Sequence, residues 1–163
     1  MDHAASELPR ACRLVADAAA RLGLAIDIRL MEQSTRTAEE AAAACRATVG
    51  QIVKSLVFAG ATSKRPVLLL VSGANRVDEK RVAATIGDRI VRPDAEFVRR
   101  VTGFAIGGIP PFGHAEPLAT WMDEDLMRHD TVYAAAGAPN AIFAVAPAEL
   151  QRATGAKPIT VRS

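Results

Sequence analysis

Cysteine is nearly absent and no long apolar run occurs, and each of these shortages closes off a class of protein; lysine is scarce as well. The only cysteines, Cys12 and Cys45, form neither a CxxC pair nor a metal-ligand spacing. Both fall on expected amphipathic helices, which makes them expected buried free thiols of a reducing compartment rather than a disulfide. No apolar stretch reaches membrane-spanning length, and MDHAASELPR at the start lacks a signal peptide's hydrophobic centre. A cytoplasmic protein with no membrane partner is the expectation. GxxxxGK[ST], GxGxxG and GxSxG are all missing, which removes the common phosphate cradles and the serine-hydrolase elbow. His3, His114 and His129 have no metal-ligand spacing, so neither a metal nor a cofactor is expected. The net charge of +2 is too small to argue for nucleic acid, and the preference for arginine over the four lysines is neutral.

What is present is enough for a core. The 163 residues, half of them hydrophobic, suit one domain over 1–163 without repeat or linker. Helical spacing covers Glu7–Leu22, with Gly23 as its stop, and alternation predicts a strand over Ala25–Met31. Thr37 and Glu40 form a capping box for a helix over Ala38–Arg46. Strands are predicted over Ile52–Phe58, Pro66–Ser72, Leu118–Met122, Thr131–Ala135 and Ala141–Ala146, with an acidic turn at Asp123–Asp125. Asp78 and Asp94 cap two further helices ending at Gly87 and Gly103, and Pro147 opens a last one over Ala148–Thr154. Helices and strands mix without regular βαβ alternation, so the expected class is α+β with a mixed, largely antiparallel sheet or barrel-like core surrounded by helices.

Two stretches carry chemistry. In IVKSLVF, alternation puts Lys54 on the face of Ile52, Leu56 and Phe58, and Ser55 on the face of Val53 and Val57. An ammonium on such a face needs an anion or loses its proton. Two readings are open: a functional lysine, or one that snorkels from an edge strand and guards it against other chains. In FAIGGIPPFGH, Gly107 and Gly108 permit close approach to the main chain while Pro110 and Pro111 fix φ, which predicts a stiff loop with exposed backbone groups. His114, closing that loop, reads either as a general base or as a hydrogen-bonding surface residue.

Taken with VYAAAGAPNAIFAVAPAELQRATGA, these blocks resemble, in order and spacing, the YbaK and prolyl-tRNA-synthetase-associated editing domain family over essentially the whole chain. The resemblance implies a mixed sheet or barrel-like fold and hydrolysis, in trans, of the ester joining a wrong amino acid to tRNA-Pro or a related tRNA. It implies that Lys54, Gly107, Gly108 and Pro111 carry the reaction. Ser55, Ile109, Pro110, Gly113 and His114 would contact the substrate, Ser55 in a supporting role. The implied partner is the 3′ acceptor end of aminoacyl-tRNA, with an aminoacyl-tRNA synthetase as a second partner and a monomer or homodimer as the assembly. The branch that removes cysteine carries an acidic residue where this chain has Ile142, so alanine, serine, threonine or 2-aminobutyrate fits better. Two competing classes are a non-catalytic tRNA-binding or regulatory module of the same fold, and a small-molecule hydrolase with an unrelated substrate.

Overall fold

The computed structural model describes residues 8–163, so Glu7 and His3 lie outside the described residues. The first helix, α1 (Arg10–Arg21), starts after Pro9 and buries Cys12, Val15, Ala18 and Ala19. Its end is closed by Gly23 at φ +69° and by the Leu24 amide, which donates to the Ala19 carbonyl at 2.9 Å. The strand expected over Ala25–Met31 contracts to β1 (Arg29–Leu30), whose residues pair with Ile142 and Ala141, while Met31 bonds to Asn140 at the turn beyond. Next comes α2 (Ala38–Cys45), with the expected capping box in place: the Glu40 amide donates to Thr37 Oγ1 and the Thr37 amide to Glu40 Oε1, each at 3.1 Å.

A 3-10 turn over Val49–Gln51 leads into β2 (Val53–Gly60), which pairs antiparallel with β3 (Pro66–Ser72) from Val53↔Ser72 to Ala59↔Pro66. The expected N-caps Asp78 and Asp94 accept from the Arg81 and Phe97 amides and open α3 (Glu79–Ile86) and α4 (Ala95–Thr102). Between them lies β4 (Ile90–Val91), a two-residue strand without a sequence signal, on Ala59–Gly60. The chain closes with β5 (Ala119–Asp123), β6 (Val132–Ala135), β7 (Ala141–Val145), α5 (Pro147–Thr154) and β8 (Lys157–Ile159). The acidic turn is the end of β5 running into a 3-10 helix over Glu124–Arg128.

Five strands lie in the order β4-β2-β3-β5-β8 and three in the order β1-β7-β6. Pairings β3–β5 and β5–β8 are parallel and the other four antiparallel, and a parallel bridge from Ile52 to Tyr133 joins the two sheets into a curled half-barrel. This is the α+β, mixed and mostly antiparallel architecture expected. Central β3 is sealed on both faces, Leu68 through Val71 having no exposed surface. One face of the sheet packs Val53, Leu68, Leu70 and Met122 against α1, α5, β6 and β7. The other packs Phe58, Leu69 and Val71 against Val82 of α3, Ile90 and Ile159. No helix among the described residues is long and apolar enough to cross a membrane.

Candidate active site

The site is built on a gap in a sheet. One edge of β2 is fully paired with β3, whereas the other meets β4 only at Ala59–Gly60 and Tyr133 only at Ile52. The Gly60 amide donates to Arg65 O and Ile52 O accepts from the Gly73 amide, so even-numbered residues of β2 bond toward β3. By the alternation of an antiparallel ladder, the peptide groups of Ser55 and Val57 then face the gap. Main-chain donors and acceptors without a strand partner are rare inside a fold, and here those of Ser55 border a cavity of about 290 Å³.

Four elements wall this cavity: Thr35–Ala38 and Ala41 at the start of α2, Ile52–Leu56 on β2, Ile106, Gly107 and Ile109 on the Gly-Pro loop, and Tyr133, Ala135 and Ile142 on β6 and β7. Its base is a small cluster of Ala41, Ala42, Ile52 and Ile142. Thr35 ties the lead-in of α2 to the β6–β7 turn, its amide and its hydroxyl both donating to the Pro139 carbonyl, at 2.7 and 3.1 Å.

Lys54 is half-buried, and its Nζ donates to the main-chain carbonyl of Asn75 at 2.6 Å. Burial pushes its pKa below the usual lysine range; Glu39 and Asp123 pull it back up, and Arg76 adds to the lowering. It therefore neither snorkels into bulk water nor sits unpaired on the apolar face. Ser55 points to the opposite face, as alternation requires. The unbroken one-to-one register of β2 with β3 leaves no bulge to turn it, and its buried hydroxyl has no partner among the described residues.

The Gly-Pro loop departs from expectation. Its backbone is not broadly exposed: Gly108, Ile109, Pro110, Pro111 and Phe112 are all buried. The prolines make this inexpensive, because they bring no N–H that would need a partner inside. Phe112 packs on Phe143 with ring centroids 5.6 Å apart. Gly108 O accepts from the Gly137 amide at 2.9 Å, and a Cβ on Gly108 would lie 2.8 Å from the Ala138 nitrogen. At the cavity end Ala105, Ile106 and half of Gly107 remain open, with Ile106 60% exposed at the cavity mouth, and at the far end Gly113 is exposed. Gly107, at φ +101°, carries the Arg36 side chain over it, 3.1 Å from where a Cβ would stand.

The residues singled out in the sequence thus divide. Lys54, Ser55, Gly107 and Ile109 line the cavity. Pro111, Gly113 and His114 line a separate, more open groove beside Leu22 and Ala153, and Gly108 and Pro110 line neither. His114 Nε2 lies 2.7 Å from the Pro110 carbonyl, which requires the proton on Nε2, and burial lowers its pKa. It braces the loop from behind. Sequence reasoning missed Arg36, Thr35 and Asn75; of these only Arg36 had a signal, a basic residue directly before the capping box. Among the described residues no three His, Cys, Asp or Glu side chains converge to hold a metal ion.

Comparison with known proteins gives a consistent set of likenesses. The aminoacyl-tRNA editing domain family matches residues 32–153. Uncharacterized protein YwhH of Bacillus subtilis (strain 168) is 32% identical over 124 residues, 76% of this chain and 78% of that protein. A solved structure described as a candidate trans-editing enzyme for prolyl tRNA synthetase is 44% identical, with a TM-score of 0.91 over 96% of this chain and 99% of that one. A scaffold protein used for computational epitope grafting is 41% identical, with a TM-score of 0.90 over the same shares of the two chains.

Proposed function

Because the chain belongs to the aminoacyl-tRNA editing domain family, we propose that it is a trans-acting deacylase that removes a small, wrongly attached amino acid from the 3′ end of tRNA-Pro or a related tRNA. The observation that carries this reading is the meeting of Lys54, the unpaired edge of β2 and Gly107 around one small, mostly apolar cavity.

The chemistry asks little of the protein, since an aminoacyl ester is already activated. Water adds to the ester carbonyl carbon, and the bond from that carbon to the ribose oxygen breaks. The ribose oxygen leaves with a proton, giving free amino acid and a tRNA with both terminal hydroxyls. Orientation supplies much of the acceleration, so a side-chain nucleophile is not needed. Lys54 holds the terminal adenosine or its phosphate, as the family resemblance implies, by a charge-assisted contact. The free peptide groups at Ser55 and the main chain at Gly107 are placed to meet the aminoacyl group and the attacking water. Ile52, Ala41 and Ile142 form an apolar floor that suits alanine, serine, threonine or 2-aminobutyrate. Pocket size alone discriminates weakly, one methylene being worth about 1–3 kcal/mol.

The test is a deacylation screen of the purified chain against tRNAs charged with cognate and non-cognate amino acids, beside Lys54→Ala. Accelerated release from one or a few small mischarged species, lost in the variant, is expected. Release no faster than in buffer across the panel, while the protein still binds tRNA, would make it a non-catalytic module of the same fold.

A further inference from the structure

Lys54 does not act on its own behind the cavity. Its ammonium meets the main-chain carbonyl of Asn75, and the Asn75 side chain reaches two carboxylates. There the carboxamide donates to Asp123 Oδ2 at 2.8 Å and Asp125 Oδ2 at 2.9 Å, using both of its N–H groups. Asp123 is 1% exposed. Its oxygens also accept from the Ser72 amide at 3.0 Å and the Asp125 amide at 2.9 Å, so every one of its three contacts comes from an N–H donor. Asp125 is held in turn by Arg162 Nε at 2.8 Å and faces Arg128 at 3.4 Å. A buried carboxylate is costly without a counter-charge nearby. The sheet supplies one: Lys54 opposes Val71 on β3, and β3 runs parallel to β5 with Leu70 beside Met122, so the next step of the register sets Asp123 beside Val71, in the same row as Lys54.

We infer that Asn75 and Asp123, supported by Asp125, are positioning residues that fix the Lys54 ammonium at the cavity, Asn75 bridging the lysine to the two carboxylates. Asn75 suits this task because one residue offers a carbonyl to the cation and two N–H groups to the anions. The charged groups around the ammonium come from three directions: Glu39 of α2 and Asp123 of β5 favour its proton, and Arg76, next to Asn75, opposes it. This inference rests on the proposed deacylase for the use of Lys54, but the arrangement itself can be tested without activity.

The chain has only four lysines, so the ¹³Cε resonance of Lys54 can be assigned by its loss in Lys54→Met and followed through an alkaline titration. In Asp123→Asn the Lys54 midpoint should fall by roughly half a pH unit or more, the loss of one nearby charge. The alkaline limb of the deacylation profile should move in the same direction. In Asn75→Ala the carbonyl remains but its support is gone, so turnover should drop about tenfold with KM within twofold, as for a misplaced but present group. An unmoved Lys54 midpoint in folded Asp123→Asn overturns the inference. Should Asp123→Asn fail to fold, Asn75→Ala decides, and turnover within twofold of the parent overturns it. A parent without deacylase activity refutes the proposed function instead, while the Lys54 titration still decides the arrangement.

Discussion

Replacing each glycine of the loop pair by alanine separates two reasons for having a glycine. At Gly108 the new methyl would stand 2.8 Å from the Ala138 nitrogen and the Gly137 carbonyl carbon, both main-chain atoms. Ordinary contact is roughly 3.5–4.0 Å, so the β6–β7 turn must retreat by about 1 Å. Overpacking of that kind costs about 1–3 kcal/mol. Parting the Gly137 amide from the Gly108 carbonyl adds about 1 kcal/mol more. A total of about 2–4 kcal/mol corresponds to a fall in Tm of roughly 5–15 °C for a chain of this size. At Gly107 the obstacle is the flexible Arg36 side chain, which can swing aside, and the φ of +101°. The backbone strain is about 1–3 kcal/mol, but the methyl sits at the cavity mouth. Thermal melts and single-turnover deacylation well below Tm read the two effects apart. Gly108→Ala should lose more stability than rate, and Gly107→Ala more rate than stability. If Gly108→Ala melts within about 2 °C of the parent and yet loses its activity, the space there belongs to the substrate, and the packing argument is wrong.

Lys54→Ala should abolish deacylation while the far-ultraviolet spectrum stays native; retained turnover would remove Lys54 from the mechanism. His114→Gln should lose far less than the about 10²–10⁴-fold expected for removing a general base, because the amide can still donate to Pro110; a loss in that range would make the histidine a catalyst. The same variant tests a pH effect. Since the folded state lowers the His114 pKa, the unfolded chain binds more protons between that lowered value and about 6.5, so stability rises with pH through this window and falls on acidification. Melts between pH 7 and pH 5 should show a smaller acid loss in His114→Gln than in the parent. Cys12→Ser buries a hydroxyl at a site with no exposed surface, and should lower stability by about 1–3 kcal/mol with turnover unchanged; a matching loss of rate would tie α1 to the site. Affinity for tRNA should fall only moderately with salt, each phosphate contact adding about −0.9 to the duplex slope, and a steep slope would reveal a larger footprint.

Local signals survived folding best. The capping box of Thr37 and Glu40, the caps Asp78 and Asp94, the stops Gly87 and Gly103 and the Pro147 helix start are fixed by neighbours within a few residues, and all stand where the sequence puts them. Strand limits did not, because a strand extends only as far as its partner. Ile26 and Ile28 alternate like a strand but pair with no strand among the described residues, whereas Ile90–Val91 and Lys157–Ile159 pair without a pattern of their own. For the site, a lysine on an apolar face and a loop of paired glycines and prolines were visible. The partner of Lys54 was not, since a main-chain carbonyl leaves no mark on residue type, and Asp123 reads as an ordinary turn acid until β3 and β5 run side by side. The burial of the loop was hidden for a related reason: it depends on Gly137 and Phe143 arriving from another strand pair.

The sheet order also sets a sequence of events during synthesis. The β2–β3 hairpin is a local pairing that can form as soon as residues 53–72 have left the ribosome, and it places Lys54 and the free edge. Asp123 is different: β5 pairs with β3 across a long stretch of sequence, and its other edge, with Asp123 beside Ile159, is covered only once residues through 159 have emerged. Parallel pairings of such separation form slowly. The lysine is therefore in place before its carboxylate, and a chain stalled short of β5 carries the cavity's cation without the anion that steadies it.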